Sequence, residues 1–394
     1  MKILHINEHS VVKGGAEAYL LDAVQRLEER GHTCFLAYAK DAPEFEISSI
    51  QIPSIGQVFA SDLGKDIACL KSFVQQHAPD LIHIHGIWNL DIIKTCLDLR
   101  PCLITSHDYR WLCPDSKFYW KRLKCTCWRA PGWKCIPYSV KNKCLTLRPS
   151  LMIQNILRIK QFSRLFPQIR AVITPSQYVA DRYHKASFPS SKTHVIPYFC
   201  SFPPLSAPRK IPEQKSISII GRTADYKGFQ YFLAALNKLP KDVIGYVMGD
   251  VEGGKASRIN EQASEAGCAD RIKLLEWADK DGVGKLLEKT SILIFPSILP
   301  ETLGIVGLEA MSYGIPVIGS NIGGVTEWLQ DKVTGFLCQP KSATEIASYA
   351  NQLLNDPALM HTMGLAGQKS IREKFLPEIH LEKLERVYAT CLEN

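Results

Sequence analysis

Residues 291–327, SILIFPSILPETLGIVGLEAMSYGIPVIGSNIGGVTE, decide the fold. Two apolar runs, 291–295 and 315–319, are each bounded by proline or glycine and suit short buried parallel strands. Between them the pattern predicts a helix over 304–313, with Gly314 at its C-terminal cap and Pro316 preventing its continuation. Its N-terminal end then lies just after Glu301, at the crevice where the strand ends of a parallel sheet receive ligands. Free amides at a helix start favour an anion such as a phosphate. Glu301 enters that crevice from the loop and Glu309 from the helix. A carboxylate accepts two hydrogen bonds, which is what vicinal sugar or ribose hydroxyls offer. Taken singly, either glutamate also reads as a solvated surface charge.

Working outward, SISIIGRTADYKGFQYFLAAL (216–236) is a strand, a loop from Gly221-Arg222 to Lys227-Gly228, and a helix. An arginine and a lysine at opposite ends of one short loop can clamp a diphosphate, Arg as a fork and Lys as a point charge. Helices are expected at 325–331, 342–354, 358–374 and 378–392. Upstream, FPPLSAPRKIPEQ carries four prolines between 203 and 212 and no periodicity, so 203–212 is a linker between domains. The N-terminal part opens with strand MKILHINEH, an amphipathic helix over 16–29 and strand GHTCFLAYA, a βαβ unit with Gly14-Gly15 in its first turn. Those glycines suit close approach of an anionic ligand, or a plain turn. DLIHIHG (80–86) and CLITSHD (102–108) are further parallel strands. His107 and Asp108 end the second, where crevice residues belong, and Asp108 is placed to fix the tautomer of His107. His83 and His85 read as packed or hydrogen-bonded core residues.

At 394 residues the chain is expected to form two domains, and its composition is that of a soluble globular protein. MKILHINEHS lacks a signal-peptide pattern, and no apolar run approaches a membrane span, so a cytoplasmic protein is expected. The net charge of +8 is localised: 107–150 holds ten basic residues against two acidic ones, leaving the remainder near neutral. The same segment holds Cys113, Cys125, Cys127, Cys135 and Cys144 and four of the seven tryptophans, in a flap over 109–148 without regular periodicity. The cysteine spacing lacks the CxxC pairs of structural zinc. Reduced cysteines in a packed flap are therefore expected and no metal, with these five as the candidates should one bind. Basic residues among aromatics suit single-stranded nucleic acid, but LMIQNILRIKQFSRLF (151–166) is a basic amphipathic helix, which favours an anionic membrane surface contacted through 109–166 over nucleic acid.

GGAE at 14–17, HD at 107–108, GRTADYKG at 221–228, PETLGIVGLEAM at 300–311 and the tail GIPVIGSNIGGVTEWLQDKVTGFL together resemble the retaining nucleotide-sugar glycosyltransferases of family 4. The resemblance implies an α/β GT-B fold, two Rossmann-like doubly wound domains facing across a cleft. It assigns 1–202 to an acceptor-side domain, 213–376 to a nucleotide-sugar-binding domain, and 377–394 to a helix crossing back to the first. It implies that Arg222 and Lys227, next to Gly221, bind the donor diphosphate and that Glu309 binds the ribose. Glu301 would bind the transferred sugar with the backbone of Thr302, Leu303, Gly304 and Ile305, and the Gly14-Gly15 loop would close on the phosphates. His107 would lie beside the reacting sugar, so His107, Arg222, Lys227 and Glu301 form the implied catalytic set. The resemblance further implies a UDP- or GDP-sugar as donor and no requirement for a further cofactor or metal. An HDY followed by Cys-Pro is familiar from members that build surface polysaccharides, which implies a saccharide or lipid-linked saccharide acceptor and a peripheral site at the inner membrane face. The sequence departs from the family where Tyr198-Phe199 follow Pro197 in place of Asn-Gly. A sugar-nucleotide epimerase, a phosphorolytic enzyme and a non-catalytic binder on the same architecture are the competing readings.

Overall fold

A computed structural model describes the chain except residues 44–45, 146–147, 206–208, 252–253 and 394. Part of the proline-rich linker, 206–208, thus lies outside the described residues. The chain divides into two compact units, one of Met1–Leu123, Cys127–Phe199 and Pro377–Asn394, the other of Lys124–Thr126 and Cys200–Leu376.

The first unit is a seven-stranded parallel sheet. Its strands are β1 (Lys2–His9), β2 (Thr33–Lys40), β3 (Ser48–Gln51), β4 (Leu81–Ile84), β5 (Cys102–Thr105), β6 (Ala171–Thr174) and β7 (Thr193–Val195). They lie in the order β3-β2-β1-β4-β5-β6-β7, so the winding reverses between β1 and β4. Alternation along each strand sends two apolar sets to opposite faces. Leu4, Ile6, Ala37, Ile82 and Ile84 join the core built with helices Leu63–His77 and Leu90–Leu99. Ile3, Cys34, Leu81, Leu103 and Ile173 join a second core with helix Pro377–Glu393, through Leu381, Leu384, Val387 and Tyr388. Two buried hydrogen bonds anchor that helix. His83 Nδ1 shares one with Tyr388 Oη at 2.8 Å, and Tyr19 Oη one with His380 Nε2 at 2.7 Å. The edge strand β3, SSIQ, was not expected, being too short and too polar for its alternation to stand out.

The second unit is a six-stranded parallel sheet of β8 (Ser216–Gly221), β9 (Ile244–Gly249), β10 (Ile272–Glu276), β11 (Ile292–Phe295), β12 (Val317–Ser320) and β13 (Gly335–Cys338), ordered β10-β9-β8-β11-β12-β13. Its winding reverses between β8 and β11. Cys200–Phe202, expected in the first domain, fall in this unit: the Cys200 amide donates to Phe375 O at 2.8 Å, and the Phe202 ring meets Tyr313 edge-on. The helix between β11 and β12 is Ile305–Ser312. Beyond its C-cap, Tyr313, Gly314 takes φ 66°; its amide bonds Met311 O and that of Ile315 bonds Ala310 O, closing the helix as a Schellman turn. Among the described residues no helix is long and apolar enough to cross a membrane.

Five histidines of the first unit, His5, His83, His85, His107 and His380, are held below the ordinary value of 6.5, chiefly by burial, His5 to about 3 and His380 to about 4. As pH falls through 6.5 the unfolded chain takes up protons that the folded chain does not. Stability is therefore complete above that pH and declines below it. The thermal midpoint of the full chain should fall between about pH 7 and about pH 5; a midpoint that stays level or rises would contradict the neutral burial of these rings.

Candidate functional site

In the second unit the winding reverses between the paired strands β8 and β11, and both loops that follow carry charge. The loop after β8 contains a 3-10 turn, Asp225–Lys227, and ends at Gly228, where φ is 79°. A Cβ on Gly228 would lie 1.8 Å from Pro296 O, so this position demands glycine on both conformational and steric grounds. The amides of Ile298 and Leu299 both donate to Tyr226 O, tying the loop after β11 to the loop after β8. The result is a direct ion pair, Lys227 Nζ to Glu301 Oε1 at 2.7 Å, with the Glu301 side chain 10 % exposed. Glu301 is held from behind as well. Its carbonyl accepts the Gly324 amide at 2.8 Å, and Gly323, at φ 58°, passes where a Cβ would sit 2.4 Å from that carbonyl. The first glycine of the NIGG segment, Gly323, is thereby explained by close approach.

Glu309 lies on helix Ile305–Ser312; its carbonyl accepts from Ser312 Oγ at 2.7 Å, while its carboxylate makes no hydrogen bond among the described residues. Burial raises its carboxyl to about 7, with Lys280 pulling weakly the other way. Arg222, next to Gly221 at the end of β8, is exposed. Among the described residues it is not hydrogen-bonded to Lys227 or Glu301. Gly304, at φ 104°, is the N-cap of the helix and Ile305 its first residue. Leu303 is buried and its carbonyl accepts the Trp328 indole N–H at 2.7 Å. Trp328 was not singled out from sequence. Its ring occupies the space beside Gly307, where a Cβ would come within 2.0 Å of the indole, and so sets the height of the 301–304 loop. No local pattern marks it, although a small residue on the buried face of a helix is the complement of a large one elsewhere.

In the first unit Gly14 is the N-cap of helix Gly15–Glu29, in extended conformation with φ 178°, and a Cβ there would make only ordinary contact with Glu17. Neither strain nor crowding inside the unit calls for glycine at 14. His107 follows β5. Its Nε2 shares a hydrogen bond with His85 Nδ1 at 3.0 Å and its Nδ1 one with Tyr198 Oη at 2.7 Å. Asp108 does not orient the ring, contrary to the reading from adjacency. Its carboxylate is engaged by Arg110 through Nε at 3.0 Å and Nη2 at 2.8 Å, and the guanidinium holds it below the ordinary carboxylate range against partial desolvation. Arg110 is stacked on Trp88, whose indole N–H donates to Glu8 at 2.8 Å. Glu8, Trp88, Asp108 and Arg110 thus form a polar cluster at the carboxyl ends of β1, β4 and β5. His5, His83 and His85 bring three ring nitrogens within 4.8 Å of one another, all buried. Both nitrogens of His83 and of His85 already have hydrogen-bond partners, and so does Nδ1 of His5, so an ion there would displace most of these bonds.

Four of the five flap cysteines, Cys113, Cys127, Cys135 and Cys144, line a cavity of about 300 Å³ together with Asp115 and Tyr138. All five are free, and burial pushes Cys113 up to about 12 and Cys144 up to about 11, which keeps them as thiols. Arg182 holds the flap down, donating to Cys127 O at 3.2 Å and lying over the rings of Phe118 and Trp128. The helix after the flap, Pro149–Ser163, turns Met152, Ile156, Ile159 and Phe162 inward. Its apolar face is therefore spent on the core, and only Leu151 and Ile153 remain exposed. In the flap itself Leu123, Trp128, Trp133 and Val140 are exposed beside the exposed cations Lys121, Arg122, Lys134, Lys141 and Lys143.

Two doubly wound parallel-sheet units with charged loops at the strand reversal define a GT-B glycosyltransferase fold. In agreement, residues 13–199 match the family described as Glycosyltransferase Family 4 and residues 205–370 the family described as Glycosyl transferases group 1. The chain belongs to glycosyltransferase family 4. It is similar to the human alpha-1,3/1,6-mannosyltransferase ALG2, 41% identical over 119 residues, 30% of this chain and 28% of that protein. It is also similar to the N-acetyl-alpha-D-glucosaminyl L-malate synthase of Bacillus anthracis, 30% identical over 185 residues, 47% of this chain and 48% of that protein. These matches span between about a quarter and a half of the relatives' lengths. Among solved structures, Anabaena HepE in complex with UDP and glucose superposes with a TM-score of 0.74 at 19% identity, covering 99% of this chain and 100% of that one.

Gly228→Ala should cost about 1–3 kcal/mol or more, because the backbone must leave the left-handed region and clear Pro296 O. Denaturant unfolding of the second unit's transition would measure it; a neutral outcome would mean that the two loops are not tied as described.

Proposed function

We propose that the protein is a hexosyltransferase that moves a sugar, with retention of anomeric configuration, from a nucleoside-diphosphate sugar to a saccharide or lipid-linked saccharide. The observation that carries this reading is the Lys227–Glu301 pair at the strand reversal of the second unit, with Glu309 unpartnered in the same unit. An ammonium against a mostly buried carboxylate gives one group for a phosphate and one for sugar hydroxyls, each neutralising the other until a ligand arrives. On donor binding Lys227 turns to the diphosphate with Arg222, and Glu301 accepts from hydroxyls of the transferred sugar, beside the backbone of Thr302 to Ile305. Glu309 accepts from the ribose. The Gly14-Gly15 loop supplies room and amides for the phosphates, and His107 stands beside the sugar.

In the reaction the bond from the anomeric carbon to the phosphate oxygen breaks and a bond to the acceptor oxygen forms on the same face. The acceptor's proton passes to the departing phosphate oxygen. Arg222 and Lys227 stabilise the negative charge that develops on that phosphate, the role a metal ion plays elsewhere, so no metal is needed for it. The UDP in the HepE complex supports a uridine nucleotide as the first donor to try, with GDP-sugars as the alternative. The exposed tryptophans and lysines of the flap suit a lipid surface bearing negative charge, consistent with a lipid-linked acceptor in surface-polysaccharide synthesis and a peripheral location at the inner face of the membrane.

The test is slow hydrolysis of a panel of UDP-, GDP- and ADP-sugars, read as nucleotide release, which requires no known acceptor. Lys227→Ala and Glu309→Ala should each lose a factor of about 10² in turnover of the accepted donor; near-normal rates in both would overturn the site. Because burial holds Glu309 near 7 and hydroxyl donors favour its charged form, nucleotide binding should release a proton at neutral pH and tighten as pH rises through about 7. Calorimetry in buffers of different ionisation enthalpy should show that release, and Glu309→Gln should abolish it; a proton release unchanged in the variant would remove Glu309 from the nucleotide site. Vesicles containing anionic lipid should bind the protein in a salt-sensitive manner, with neutral vesicles binding equally well as the outcome that would dismiss the flap as a membrane contact.

A further inference from the structure

The ring of His107 is the outer member of a buried row of imidazoles. His5 Nδ1 faces His85 Nε2 at 3.1 Å, His85 Nδ1 faces His107 Nε2 at 3.0 Å, and His107 Nδ1 faces Tyr198 Oη at 2.7 Å. The row exists because β1 pairs with β4 in a register that sets His5 opposite His83, and because residues two apart on a strand share a face, which brings in His85. His85 also stacks on His107 with ring planes 20° apart. A neutral imidazole has one N–H and one lone pair, and each of these three links needs one proton. Burial keeps all three rings neutral.

Direction in one link therefore fixes direction in all. Either every ring carries its proton on Nδ1 and donation runs outward from His5 to Tyr198, or every ring carries it on Nε2 and donation runs inward. The inward arrangement ends on an N–H at His5 Nε2, an atom that is buried and has no hydrogen-bond partner. The outward arrangement leaves a lone pair there instead. A buried donor without an acceptor is the rarer and costlier of the two.

We propose that His5 and His85 are positioning residues for His107: the row fixes His107 as the Nδ1–H tautomer, donating to Tyr198, and prevents its ring from turning. Tyr198 then keeps its own proton and acts as the donor in any further bond it makes. The Tyr198-Phe199 pair that replaces the family's Asn-Gly supplies the far end of the row. A histidine set in this way presents the same ring edge and the same dipole at every turnover, and it does so without a carboxylate, since Asp108 is committed to Arg110. The effect on turnover rests on the placement of His107 beside the transferred sugar; the tautomer does not.

The full-length chain labelled with nitrogen-15 at histidine allows both parts to be read separately. Long-range proton–nitrogen spectra, assigned against His107→Ala, should show His107 with Nδ1 protonated and Nε2 bare at neutral pH. A protonated Nε2 would overturn the proposal whatever the activity. His85→Gln offers an amide that can both accept from His5 and donate to His107, and it should keep the tautomer and donor hydrolysis within about twofold. His85→Leu removes the link. It should mix the tautomers of His107 and lower kcat about tenfold, the size of one misdirected hydrogen bond, while the KM for donor stays within about twofold. Should His85→Leu fail to fold, His5→Asn and His5→Phe make the same comparison one ring further in. Equal losses in the amide and apolar variants, or an unchanged His107 spectrum in the apolar one, would mean that the row merely fills space. Unaltered turnover in His107→Ala would instead sink the placement of His107 in the reaction and leave the tautomer result standing.

Discussion

A carboxylate at Glu301, nine-tenths removed from solvent on its side chain, is tenable because an ammonium lies 2.7 Å away. Much else in the second unit follows from keeping those two groups opposed. Lys227 must approach from one strand end and Glu301 from the next, so the loops bearing them are bound together through Tyr226 O. The chain can pass between only where side chains are absent, at Gly228 and Gly323. Trp328 then fixes the loop from beneath by taking the Leu303 carbonyl. An ion pair with little exposure contributes less to stability than its short distance suggests, because desolvation offsets most of the attraction. Its value lies in holding two groups, each costly to bury alone, at a defined place.

The first unit meets the same demand at its own strand reversal without net charge. There the polar groups that interrupt two apolar strands are imidazoles, and all their nitrogens but Nε2 of His5 bond one another or hydroxyls of other segments. Charge is confined to the rim, where Asp108 and Arg110 pair and Glu8 receives the Trp88 indole. The two units thus share a topology and place different chemistry at the same topological position.

Much of this was legible in the sequence, and the boundary between legible and illegible is physical. The helix before Gly314 and the strands flanking it show in short-range pattern, because caps and alternation are local. The importance of Lys227 and Glu301 could be argued from residue type and from resemblance, but their contact could not: they are 74 residues apart, and only the pairing of β8 with β11 unites them. The alternation of the HIH segment reads as core, and its histidines are buried. What could not be seen was His5, whose membership depends on strand register, and the engagement of Asp108 by Arg110 two residues on, which displaced the neighbour-based account of His107. The amphipathic helix 149–163 shows the opposite error. Its periodicity was real, but a helical moment does not say whether its apolar side meets lipid or protein, and here it meets Trp111 and the rest of the core.

The return of residues 377–393 to the first sheet bears on how the protein is made. A ribosome releases the strands and most helices of the first unit early, yet the face bearing Ile3, Leu103, Ile173 and His83 is covered only in part, by Leu20, Val24 and Leu27, until the whole second unit has been translated. At roughly 5–20 residues per second that interval is on the order of ten seconds or more. During it the nascent chain displays the apolar surface that Leu381, Leu384 and Val387 later cover, with His83 still lacking its Tyr388 partner, and the last helix closes both.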